Sequence, residues 1–76
     1  MQEKEQIQER NFDKLISAKI NPIQARFVAF KLAELGAEIQ ILEEVRNNKF
    51  KINTNISVYL VTLPNIPIPD AKIELM

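Results

Sequence analysis

The side chains best placed to do chemistry fall in one short stretch, "ILEEVRNNKFK", Ile41 to Lys51. Glu43 sits between Ile41 and Val45, so on an alternating strand it would point into an apolar face. Buried there, a carboxyl needs a cationic partner or takes a raised pKa, and such groups are often functional. Nearer the turn, the same carboxylate would simply reach solvent. Arg46, Lys49 and Lys51 follow as a small basic cluster that could touch phosphates, as the wings of nucleic-acid binders do. A solvated face balanced by Glu38 and Glu44 is the plainer account of it. Arg26, elsewhere in the chain, could join these cations on one anionic pocket only if several protomers contributed.

Other catalytic chemistry is poorly supplied. The chain has no histidine and no cysteine, which leaves Asp, Glu, Lys and Tyr as the general bases and removes disulfides, thiolates and the common zinc sites. A single glycine, Gly36, rules out phosphate-cradling glycine loops in practice. None of Ser17, Ser57, Thr54 and Thr62 sits in a nucleophile elbow. We therefore expect no enzyme, no cofactor and no metal.

Composition bounds the rest. Seventy-six residues make one small domain, and a chain of this length buries only about 60% of its unfolded surface. With no disulfide or metal to supplement the core, self-association is expected. Ten basic residues balance ten acidic ones, so no global field draws in nucleic acid or an anionic membrane. The start, "MQEKEQIQER", lacks the apolar segment of a signal peptide, and no apolar run approaches the roughly 20 residues of a membrane span. These features lead us to expect a cytoplasmic protein. The weight of Ile, Lys and Asn, 11, 7 and 7 residues, suggests AT-rich coding and points towards a phage, a mobile element or an AT-rich bacterium.

The elements that must position these residues are partly legible. Residues 1–10 read as a polar arm, helical or frayed. From Asn11, Phe12, Leu15 and Ile16 give a helical stripe. A second helix starts at Asn21 as N-cap, with Pro22 at its first position and Gln24 where a capping-box partner belongs. Gly36 offers a left-handed stop. Apolar residues surround most of this helix: Ile23, Phe27 and Phe30 on one face, Val28, Leu32 and Leu35 on another, and Ala25, Ala29 and Ala33 on a third.

Two structures compete for residues 38–53. Val28, Leu32, Leu35, Ile39 and Leu42 follow a coiled-coil spacing, which requires Gly36 inside a helix at about 1 kcal/mol. A hairpin about Asn47-Asn48 accounts for more residues. It sets Val45 opposite Phe50, Glu44 opposite Lys51 and Ile39 opposite Ile56. Ile39, Ile41, Val45, Phe50, Ile52 and Ile56 then share one face, with only Glu43 and Thr54 intruding. Leu42 alone intrudes on the polar face. "ISVYLVTL" reads as a further strand, central or covered on both sides. "PNIPIP" forces an extended path, and residues 64–76 form a tail that ends on a short alternating segment around Ile73 and Leu75.

The sequence thus predicts an α+β domain, with one or two helices on a small antiparallel sheet and an extended tail. The expected function is that of a small binding protein: an inhibitor, adaptor or regulator of another protein, acting as a homo-oligomer. Val28, Leu32, Leu35, Ile73 and Leu75 are the candidate self-association residues. The alternative is an oligomer that sequesters a small anionic ligand or binds nucleic acid through the basic hairpin.

Overall fold

Asn21 opens the second helix as its sequence position requires. In a computed structural model, which describes residues 3–76, its side-chain oxygen accepts from the Ile23 N–H at 2.9 Å and Pro22 takes the first helical turn. This helix, α2, spans Pro22–Glu34 and follows α1, Glu3–Ser17. The predicted polar arm is therefore helical from Glu3 onward; Met1 and Gln2 lie outside the described residues.

Both helices end on the same device, in which a left-handed residue lets two N–H groups turn back onto the last free carbonyls. At α2 the left-handed residue is Gly36 (φ 78°), with Gly36 N–H donating to Ala33 and Ala37 N–H to Leu32. At α1 it is Lys19 (φ 69°), with Lys19 N–H donating to Ile16 and Ile20 N–H to Leu15. A side chain at that φ is strained where glycine is not. Lys19→Gly is therefore expected to stabilise the domain by about 0.5 kcal/mol, the relieved strain being partly offset by glycine's larger unfolded-state entropy. A urea titration reads this as a higher midpoint at unchanged slope.

The rest of the chain forms four strands: β1, Ile39–Arg46; β2, Lys49–Thr54; β3, Val58–Thr62; and β4, Lys72–Leu75. They pair in sequence order as one antiparallel sheet, so β1 and β4 are its edges. The two helices cover one face, and the core between the layers holds Leu15, Val28, Leu32, Ile39, Ile52 and Val61. Ala25, Ala29 and Ala33 are also buried, and their small side chains let α1 approach α2 closely. The helices and strands thus form the α+β fold that the sequence predicts, and residues 38–53 form the hairpin, not a continued helix.

The hairpin's register differs by one residue from the predicted one. A type I′ two-residue turn needs positive φ at both central positions and a type II′ turn at the first; here Asn48, the second, has it (61°) and Asn47 does not. Arg46 still pairs with Lys49, but the register then shifts, so that Glu44 pairs with Phe50, Glu43 with Lys51 and Leu42 with Ile52. A second shift between Ile39 and Ile41 sets Ile39 against Thr54. A one-residue slip exchanges the faces of a strand. Leu42 accordingly turns inward onto the core, while Ile41 and Val45 are exposed. Ile56, expected on the apolar face, lies exposed in the β2–β3 turn. Thr54 does face the core, and its hydroxyl is satisfied there by donating to the Ser57 carbonyl at 2.7 Å.

Two polar side chains tie the layers together. Asn11 on α1 is fully buried; its amide donates to the Ala37 carbonyl at 3.0 Å, and its oxygen accepts from the Ile39 N–H at 2.8 Å. Gln24 does not close a capping box. Its amide reaches the Pro64 and Ile66 carbonyls, each at 3.0 Å, and holds the tail against α2. The tail is less extended than expected, because Ile68 N–H returns to Ile66 and Asp70 N–H to Ile68 in tight turns across Pro67 and Pro69. Proline's fixed φ suits the centre of such a turn. The tail then pairs with β3 of its own chain as β4.

Candidate functional site

The pairing register fixes what the sheet shows on the side away from the helices. Successive side chains alternate between faces, so the outer face carries Glu43, Lys51, Leu60 and Glu74 in one row across the strands. Arg46, Lys49, Thr62 and Lys72 form the next. Ile41, Asn53 and Val58 follow at the other end. β3 is thus central in the sheet as expected, but only its inner face is covered, and Val58 and Leu60 are half-buried on the open one.

Each predicted site residue can now be located. Glu43 lies exposed on the outer face opposite Lys51, not inside the apolar layer, because the register shift moved it across the sheet. Arg46, Lys49 and Lys51 do come together on that face, and the sequence missed a further cation beside them, Lys72 of β4. Lys72 is reached only through the β3–β4 pairing, which no local spacing reveals. It also lies 3.6 Å from the Glu74 carboxylate. With Glu43 and Glu74 in the adjoining row, the patch has mixed charge. Arg26 is not part of it; its guanidinium lies over the Phe12 ring, 4.4 Å from the centroid, on the helical side.

The candidate self-association residues divide. Val28 and Leu32 are at most 1% exposed and belong to the chain's own core, so they are not available to a second protomer in this fold. The coiled-coil spacing that singled them out is the spacing of a helix face, and here that face packs on the sheet. Leu35, Ile73 and Leu75 instead meet at one surface groove, joined by Lys31, Glu34 and Tyr59. Leu35 and Leu75 are 53% and 68% exposed.

A second groove lies further along α2, lined by Ile23, Phe27, Phe30 and, from the tail, Pro69. The Gln24 clamp holds the tail in place to make that wall. Ile23 is 49% and Phe30 43% exposed. Ile23, Phe27 and Phe30 make a short apolar strip along the outer side of α2, and Lys31, over the Phe27 ring, separates it from the Leu35 groove, which shares no lining residue with it. Isolated exposed apolar residues are ordinary on a protein surface, whereas several lining one groove mark a place of contact. Among the described residues, no group of three or more acidic side chains is arranged to hold a metal ion. Among the described residues, no helix is long and apolar enough to cross a membrane.

No protein-family model matches the chain. Neither the curated proteins nor the solved structures contain a match.

Proposed function

We propose that this chain is a small non-enzymatic protein-binding module that works through the outer side of α2, as an adaptor, inhibitor or regulator of another protein. The carrying observation is the strip of Ile23, Phe27 and Phe30, walled by Pro69 of the tail, apolar side chains on a surface that the fold itself does not cover. The separate groove of Leu35, Ile73 and Leu75 is the surface suited to self-association. An oligomer holding an anionic ligand is the second reading. It has the row Arg46, Lys49 and Lys72 in its favour, set against the neighbouring carboxylates of Glu43 and Glu74.

Native mass spectrometry on protein purified gently from the cells that produce it tests the first reading. A retained second polypeptide is expected, and Phe30→Asp should abolish its retention. Because Phe30 is already 43% exposed, that variant should melt within a few degrees of the parent. A bare chain in both preparations, with both folded, would overturn the reading.

A further inference from the structure

Spacing, charge and the sheet edges together say what kind of partner the α2 strip fits. Ile23, Phe27 and Phe30 are separated by four and three residues, and Glu34 continues the pattern by four. That is the spacing with which one helix receives another. From Ile23 to Phe30 the strip runs about 10 Å, roughly two helical turns.

The depression beside Phe27 and Phe30 has a volume of about 440 Å³. It adjoins a second of about 510 Å³ across a ridge made by Gln8 and Arg26. Glu5, Glu9 and Asp13 line that second depression at i, i+4 and i+8, along one edge of α1. Among the described residues, no ion pair engages any of the three. With Glu34, four carboxylates border the strip. Its two cations, Arg26 and Lys31, both lie over aromatic rings. A partner that lays apolar residues on the strip therefore meets an acidic border.

The sheet edges offer no competing mode of docking. β1 shifts register twice within its eight residues, and β4 is four residues long and follows three prolines. Both devices blunt an edge against strand addition. A second copy suits the groove poorly, since the same face turned on itself would bring the same carboxylates together. The accessible surface, 4907 Å² for 8.8 kDa, also matches the roughly 4,800 Å² of a folded monomer of that mass, so the core does not call for a twin to complete it.

Resting on the protein-binding reading above, we propose that the groove beside α2 takes a basic amphipathic helix of another protein. Its apolar residues seat on Ile23, Phe27 and Phe30, and Lys or Arg side chains along its edge face Glu5, Glu9 and Asp13.

Two labelled synthetic peptides of about four helical turns test this. Both carry leucines at the same helical spacing, one flanked by lysines and the other by glutamates, and binding is read by fluorescence anisotropy. The basic peptide is expected to bind and the acidic one not. The triple variant Glu5→Gln, Glu9→Gln, Asp13→Asn should weaken the basic peptide by about tenfold, the worth of three surface ion pairs. Phe30→Asp should abolish its binding, and added salt should weaken it. Equal binding of both peptides would overturn the inference while leaving a protein-binding strip. Binding of neither would also overturn it, and the native mass spectra would then decide separately whether the strip binds protein at all. A homodimer lost in Phe30→Asp would make a second copy the occupant and overturn it too.

Discussion

Asn11→Ala is expected to lower the unfolding free energy by about 3 kcal/mol. The amide makes two hydrogen bonds in a fully buried position, to the Ala37 carbonyl and from the Ile39 N–H. Alanine would leave both backbone groups buried and unpaired, each at about 1–3 kcal/mol. These groups lie where the chain leaves α2 and enters β1, so their loss loosens the joint between the helical layer and the sheet. A domain of this length has on the order of 4–11 kcal/mol in total. The variant should therefore melt at least 10 °C below the parent, at about 4–8 °C per kcal/mol. Asn11→Asp separates the two bonds. Its carboxylate still accepts from Ile39 but confronts the Ala37 carbonyl oxygen, which favours the protonated form and raises the folded-state pKa above the unfolded value of about 3.9. The neutral acid can donate to Ala37, so stability is present below that unfolded pKa and is lost as pH rises above it. Thermal melts should accordingly show a deficit against the parent that is larger at pH 7 than at pH 3. Equal deficits at both would mean that the Ala37 contact contributes nothing.

The sequence concealed Asn11 because nothing local marks it. Asparagine on a helix reads as a surface residue, and its partners stand 26 and 28 positions away. Gln24 misled for the opposite reason. Its spacing from Asn21 suits a capping box, yet the Pro64 and Ile66 carbonyls, which have no strand to pair with, compete for the same amide. Where a signal is purely local the outcome is different. The Asn21-Pro22 start and the Gly36 stop of α2 stand where the residues place them. The hairpin lies between these cases. Its two faces were sorted well enough to distinguish strand from helix, but its register depended on whether Asn47 as well as Asn48 takes positive φ, a choice that residue type does not fix. That one undetermined angle is also why Glu43 stands in solvent. The α2 strip was half visible: Ile23, Phe27 and Phe30 share a face on periodicity alone, whereas the contribution of Pro69 comes from the folding of the tail.

Leu32 and Leu35 put the division of α2 to an energetic test. They stand three residues apart in the same spacing pattern, so a helix that offered this seam to a second protomer would present both. Here Leu32 is 0% exposed within the core and Leu35 is 53% exposed at the helix end. Leu32→Ala removes buried methyl groups and leaves a cavity between α2 and the sheet, at about 3–4 kcal/mol. Leu35→Ala should cost under about 1 kcal/mol, since the side chain is already half in water. Denaturant midpoints at several protein concentrations separate the two effects. The Leu32→Ala loss should be the same at every concentration, because the contacts lie within one chain. If the Leu35→Ala loss instead grows with concentration, its side chain is buried between copies, as the groove it shares with Ile73 and Leu75 suits it to be. A small Leu32→Ala effect would mean that α2 does not pack on the sheet through Val28 and Leu32. The apolar face left for a partner would then be that one, not Ile23, Phe27 and Phe30.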